Sequence, residues 1–399
     1  MDRKDLVSYL IAILAAGLPA YLIRFNIFNV PTTLLEVTIY LVVIFAAVII
    51  WKTKKKLIWP DRLTFWGIIL FLVSGALGVI ASTDKTAALG FFKAYVIDPI
   101  LIYWLIINFI DSEEKIHRVK DGLIIGGTAV ALHAIWQFFS GQTTSDYRVI
   151  GLFGFSPNYL AMYLVPIAVL TGGLFFEEFK YRNFMTVFIY LASLSLITFA
   201  VYLTGSRAGL AAEIVGVSFF SYFVLWRNWR RGRIFLDILA VVTLVTLFFV
   251  IWHFARPDFS LTPTEGGRIV SSNNVRWEIW RTTVEIIKQK TFWGVGLGNF
   301  QNYFTQFTQN RVNFPEFISP LALTPHNFFL SIWVNLGLLG LVAFLILLID
   351  FVVRHIRKFS VSAILSLAAM VAILAFGLFD TPYFKNDLAI IFWMILGLM

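Results

Sequence analysis

The chain has 399 residues, 59% of them hydrophobic and 14% charged, with a mean hydropathy of +0.81 and a formal net charge of +9. About a quarter of a soluble chain is charged, so a set of water-soluble domains is excluded and an all-α polytopic membrane protein is expected, one membrane domain over 1–399. Cysteine is absent, which rules out a disulfide framework, a thiol nucleophile and a thiolate metal site.

Twelve apolar stretches approach or reach the roughly 20 residues needed to cross about 30 Å of hydrocarbon: 6–23, 33–51, 64–81, 88–110, 119–139, 159–176, 184–204, 208–226, 234–254, 335–353, 361–379 and 386–399. The first opens on Arg3 and Lys4 and resembles a signal sequence. It is kept as a span because removing it would spoil the charge alternation that follows. Connection 51–62 holds five basic residues, 227–233 four, and 114–120 and 354–360 three each. The intervening short loops hold one each: Arg24, Lys85, Arg148, Arg207 and Lys385. Cytoplasmic loops carry the excess of Lys and Arg. Both termini are therefore expected in the cytoplasm, and the positive charge signals topology without calling for nucleic acid.

Span four carries Lys93, Asp98 and Pro99 within "FFKAYVIDPILIYWL". Charges at depth usually face a cavity or each other, so the two form a structural pair or line a wall of a lipid or acceptor cavity. His133 and Gln137, one turn apart in span five, read as interhelical glue. His253 reads as interfacial, and His117 and His355 fall on cytoplasmic loops. Between spans seven and eight, "LTGSRAGL" makes a tight outward turn that presents Ser206 and Arg207. Arg207 is either a headgroup anchor or part of a site.

The connection 255–324 breaks the pattern of short loops and falls outside. Trp277, Trp280, Val284 and Ile287 recur on one face of a helix at about 275–290. Flanked by cations, that helix is expected to lie on the membrane interface. The glycine-rich "FWGVGLGNF" (292–300) follows it. Arg268, Arg276 and Arg281 add guanidinium forks that suit phosphate oxygens.

At "LTPHN", Thr324 reads as an N-cap and Pro325 as the first helical residue. His326 and Asn327 then lie in the first turn, beside free N–H groups that favour anions. As a helix, 325–353 would measure about 43 Å, so its start stands outside the hydrocarbon and a bend near Gly337 is expected. Alone, His326 would read as an interfacial polar residue. Several outward arginines around it instead suggest a lipid pyrophosphate site.

His326–Asn327, nine residues, then Gly337-x-x-Gly340 resembles the signature of the O-antigen ligase and polymerase superfamily. The "TGSRAG" turn, "NNVRWEIWRTTVEIIKQKTFWGVGLGNF", "IGLFGFSPNYLAMYLVPIAVL" (150–170) and the twelve-span plan are similar to it too. The likeness runs from about residue 150 to the end. It implies a membrane glycosyltransferase of the bacterial cytoplasmic membrane, without metal or cofactor. Such an enzyme moves a glycan from undecaprenyl pyrophosphate to an acceptor hydroxyl on the outer face. Arg207 and Arg276 would then bind pyrophosphate, and His326 would deprotonate or orient the hydroxyl, a task for which imidazole is suited near neutrality. Asp380 is the match for the family's acidic residue in the last outward loop. Asn335 departs from the pattern, standing where members often have an acidic residue. The acceptor is a lipid A core for ligases, to which the full signature leans. For polymerases it is another lipid-linked repeat, and for a further branch it is protein. A polyprenyl-glycan flippase is the rival of another class; it would show polar groups along a path reaching both faces, and inverted repeats are common in transporters.

Overall fold

The computed structural model describes residues 3–27, 30–154, 156–181, 183–228, 234, 237, 272–311, 314 and 316–398. Helix α1 (Arg3–Ala16) stops at Gly17, where Pro19 diverts the chain into a 3-10 turn, Leu18–Leu22. An antiparallel hairpin follows, β1 (Arg24–Ile27) with β2 (Val30–Thr33), pairing Arg24 with Thr33. Thr33 and Glu36 form a capping box that starts α2 (Leu34–Thr53). Next come α3 (Arg62–Ala81), then α4 (Lys85–Phe92) and α5 (Asp98–Phe109), joined without a break by a π-helical turn at Lys93–Ile97. Then follow α6 (Glu113–Phe139), α7 (Pro157–Tyr181), α8 (Phe184–Leu203) and α9 (Arg207–Asn228). Beyond the undescribed residues lie α10 (Ser272–Gln289), α11 (Phe300–Gln309), α12 (Phe328–Lys358), α13 (Val361–Gly377) and α14 (Asn386–Gly397).

Among the described residues, eight helices are long and apolar enough to cross a membrane, counting Lys85–Phe109 as one. Three shorter apolar helices, Asp5–Ala16, Val361–Gly377 and Asn386–Gly397, coincide with the expected spans one, eleven and twelve. The expected ninth span, 234–254, lies outside the described residues except at 234 and 237, and His253 lies outside them with it.

Contacts sort the connections onto two ends of the bundle. At one end, Asp5 meets Lys115 at 3.3 Å, Lys358 meets Glu113 at 3.4 Å, and Arg354 meets Asp61 at 3.3 Å and Asp350 at 2.8 Å. The basic connections 51–62, 114–120 and 354–360 therefore share a face. The opposite end gathers the hairpin, the 140–156 and 204–206 segments, the α10–α11 region and the 378–385 connection.

Helix α12 is broken at Gly337, whose φ of 69° and ψ of −175° are non-helical. The glycine-rich segment fills the break. Val295 N–H donates to the Val334 carbonyl at 2.7 Å, and the Thr291 carbonyl accepts from Leu338 N–H at 3.0 Å and Trp333 Nε1 at 3.1 Å. Irregular backbone at membrane depth is tolerated where protein satisfies its polar groups, and here a loop does so. A Cβ on Gly337 would collide with the Phe292 carbonyl, and one on Gly294 with the Val334 carbonyl. Both glycines let the two backbones touch. Gly340 brings the lower half of α12 against Ser74 of α3.

Three local expectations are corrected. Asn327, not Thr324, caps α12: its side chain accepts from Leu330 N–H at 3.0 Å. Pro325 and His326 therefore precede the helix instead of occupying its first turn. The tryptophan face of α10 is divided: Trp277 and Val284 are exposed, Ile287 is buried and Trp280 half-buried. The buried line is Ile279, Thr282, Thr283 and Ile286, which joins Val295, Phe304 and Val334 in a small second core. Finally, Lys93 and Asp98 do not pair with each other, which was one of the two arrangements expected for them. Lys93 meets Glu36 at 2.9 Å, and Asp98 accepts from Tyr40 at 2.7 Å, so both fasten the π turn to α2.

Candidate functional site

His326 stands in the turn just before α12, with its backbone in the left-handed region at φ 48°. Asn327 has spent its side chain as the cap, and its Nδ2 donates to the Leu378 carbonyl at 3.1 Å. That bond ties the α12 start to the end of α13. Asp380 lies just beyond, and its Oδ1 is 3.1 Å from His326 Nδ1. The same oxygen accepts from Thr381 N–H at 2.9 Å, while Oδ2 accepts from Asn158 Nδ2 at 3.1 Å. Every oxygen of this buried carboxylate thus has a donor. Burial pushes the Asp380 carboxyl up, but the His326 charge and hydrogen bond, with Arg276 behind them, outweigh burial and hold it below the usual range. An ionised carboxylate only accepts, so Nδ1 carries the His326 proton. Nε2 has no partner among the described residues, and the side chain is 27% exposed.

Asn158 opens α7, and its Oδ1 accepts from Arg148 Nη2 at 3.2 Å. Arg148 Nε donates in turn to the Thr204 carbonyl at 2.5 Å. Thr204 and Gly205 belong to the turn that delivers Ser206 and Arg207. The chain His326–Asp380–Asn158–Arg148–Thr204 therefore joins four connections that are far apart in sequence. Ser206 is buried, its hydroxyl accepting from Gly209 N–H at 3.2 Å to start α9. Its role is a helix cap. Arg207, the next residue, is exposed.

Arg276 is half-buried on α10, near enough to Asp380 to favour its ionised form, and its Nε is buried with no hydrogen-bond partner among the described residues. A buried guanidinium N–H left unpaired is costly, and an anion is what would satisfy it. Arg281 points elsewhere, 3.7 Å from Glu285, which also meets Arg311. Arg268 lies outside the described residues. Lys93 and Asp98 are bound to α2. Pro325 is buried ahead of His326, and Gly337 and Gly340 shape the break and packing of α12.

Arg148 and Asn158 were absent from the candidates read from sequence. Asn158 fell inside the quoted stretch 150–170, and Arg148 was one loop charge among several. Asp387, the neighbouring rival of Asp380, is fully buried and accepts from Tyr159 at 2.5 Å, away from His326. His117 pairs with Glu177 at 3.6 Å near the start of α6, at the basic end, and His355 is buried at that same end. Neither shares the site.

Residues 192–345, which contain Arg207, Arg276 and His326 but not Arg148, Asn158 or Asp380, match a family model described as O-antigen ligase. No curated protein matches the chain. The family-model match, over less than half of the multi-pass helical chain, supports the O-antigen ligase and polymerase superfamily.

Proposed function

We propose that this protein is a ligase-type glycosyltransferase. It takes a glycan from undecaprenyl pyrophosphate and transfers it to a hydroxyl of a lipid-borne acceptor, at the outer face of the cytoplasmic membrane. The observation that carries the reading is the His326–Asp380 contact, 3.1 Å long, at the bundle end away from the basic connections. Asp380 fixes the tautomer, leaving Nε2 as the atom that accepts a proton. An acceptor hydroxyl at Nε2 loses its proton as its oxygen attacks the anomeric carbon. The bond from that carbon to the pyrophosphate oxygen breaks, and the electron pair leaves on pyrophosphate.

The charge that develops there is what Arg276 and Arg207 are suited to neutralise. Arg276 has an unpaired N–H to give, and Arg207 begins α9, where the helix N-terminus adds a partial positive charge. The fixed carboxylate, the helix caps and the Arg148–Asn158 link keep the site preorganised, so little reorganisation is needed when charge moves. Asn335 takes the place of an acid without losing a base here, because Asp380 already supplies the carboxylate. Its amide donates to the Ser331 carbonyl at 2.9 Å, inside the helix.

The test is a transfer assay on the purified full chain in detergent, with an undecaprenyl-pyrophosphate oligosaccharide and a lipid A core acceptor, wild type beside His326→Ala. Product that needs the core lipid and disappears with His326→Ala is expected. Chains that lengthen without the core lipid would make the protein a polymerase. Full transfer by His326→Ala would sink the assigned base, and a wild type that only moves the donor across vesicles would favour a flippase.

A further inference from the structure

The indole of Trp280 donates its Nε1 proton to the backbone carbonyl of His326 at 3.0 Å. Sequence periodicity puts Trp280 on a lipid-facing stripe; the structure turns it inward, while Trp277, three residues earlier, stays 48% exposed. The carbonyl it holds belongs to a residue with a strained backbone. A left-handed φ on a non-glycine is strained and persists only where the surroundings enforce it. Three elements do so. Thr324 Oγ1 accepts from His326 N–H at 3.4 Å, Asp380 holds the ring at 3.1 Å, and Trp280 holds the carbonyl.

Arg276 lies four positions before Trp280 on α10, so the two share a helix face. Arg276 also acts on Asp380 through its charge. The seating of α10 and the orientation of the His326 peptide are therefore one arrangement. If α10 lifts, the carbonyl is released and the guanidinium withdraws together.

We propose that Trp280 is a positioning residue whose N–H clasp docks α10 on the entrance to α12, aligning His326 and setting Arg276 beside the His326–Asp380 pair. The catalytic consequence rests on the transferase reading; the clasp itself does not.

Two measurements on the full chain test it. The first uses paired spin labels at Val284→Cys and Tyr202→Cys, both on exposed positions of a chain without native cysteine. One narrow separation is expected in the parent and in Trp277→Phe, and a broadened one in Trp280→Phe, which keeps a ring and loses the donor. The second is a transfer cycle with Trp280→Phe and Arg276→Ala. Trp280→Phe is expected to reduce kcat/KM about five- to tenfold, the cost of one hydrogen bond, and to add little once Arg276 is gone. A merely destabilising change would instead lower the active fraction equally in both backgrounds, and that additivity would overturn the positioning role. A separation that stays narrow in Trp280→Phe overturns the clasp, whatever the activity. Broadening in Trp280→Phe with a wild type that transfers nothing would leave the clasp standing and remove the transferase reading.

Discussion

His326 precedes α12 and His355 stands in its last turn, so one helix carries an imidazole at each end of the bundle. His355 is 0% exposed, with Nδ1 2.8 Å from the Phe351 carbonyl and Nε2 3.1 Å from the Leu398 carbonyl. Both nitrogens face backbone carbonyls, of which a neutral imidazole can serve one. His326 commits one nitrogen to a carboxylate and leaves the other at a partly exposed surface. The rest of each end follows its histidine. Around His355, Lys120 donates to Ser362 at 2.8 Å, Arg354 spans Asp61 and Asp350, and Thr64 donates to Asp350. Around His326, Arg276 keeps an unsatisfied N–H. Both ends keep a buried guanidinium N–H without a partner among the described residues, on Arg354 at the basic end and Arg276 at the other; what differs is that Arg354 is held by two carboxylates.

The sharpest way to break that contrast is to remove each imidazole. His326→Ala is expected to lower transfer at least about 100-fold, as loss of a general base does, far more than the modest fall in melting temperature from leaving Asp380 without its ring can explain. His355→Ala should do the reverse. It removes the one N–H that a neutral ring can give to these carbonyls and leaves a cavity among buried side chains, costing about 1–3 kcal/mol, so melting falls while the folded fraction keeps its turnover. Equal activity losses in both would erase the distinction. Between the two histidines, Gly337→Ala sets a Cβ against the Phe292 carbonyl at a left-handed φ. A loss of about 1–3 kcal/mol or more is expected, visible as reduced yield and thermal stability, and it tests whether the break in α12 is obligatory.

Asp380→Asn is expected to cost about tenfold to 100-fold in kcat, because an amide no longer compels the proton onto Nδ1. It also has a pH signature. The Asp380 carboxyl titrates below its ordinary value in the folded chain. Its contribution to stability is therefore complete above the unfolded pKa of about 3.9 and fades as pH falls through the lower folded value. The melting difference between wild type and Asp380→Asn should be flat from neutrality to about pH 5 and shrink only below about pH 4. A difference already shrinking near pH 6 would contradict the depressed carboxyl. The smallest effect belongs to Arg148→Ala, a loss of a few-fold in kcat from a link about 1 kcal/mol strong, detectable as a change in kcat with KM nearly constant.

How much of this could be read from sequence depends on the range of each signal. Eight of the twelve expected spans were legible because apolar length is a local property, and three of the basic connections share one end of the bundle. Gly337 was legible as a bend, since a long apolar run must bend or overshoot. The helix start was misread by three residues: Thr324–Pro325 is a good cap by composition, but Asn327 competes and wins by reaching the Leu330 amide. The Arg148–Asn158–Asp380 line was illegible for another reason. Asn158 and Asp380 are 222 positions apart, and no periodicity within one helix reports what meets across three. The same holds for Lys93, whose acid is Glu36 on another helix and not the nearby Asp98. Trp280 shows the limit of amphipathic reading, for a tryptophan stripe announces an apolar face without saying whether lipid or protein covers it.

The wedge of residues 291–298 between α3 and the break in α12 also bears on biogenesis. Leu297 N–H bonds to the Gly78 carbonyl at 3.1 Å, and Thr83 donates to Asn299 at 2.7 Å across 216 positions. During synthesis, α3 enters the bilayer long before its partner is translated, and its end must wait without the loop that packs on it. The wedge cannot lock until the second half of α12 has also been inserted. Completion of the bundle is thereby coupled to completion of the His326 site, and a chain arrested before residue 338 lacks the partner that closes the seam at α3.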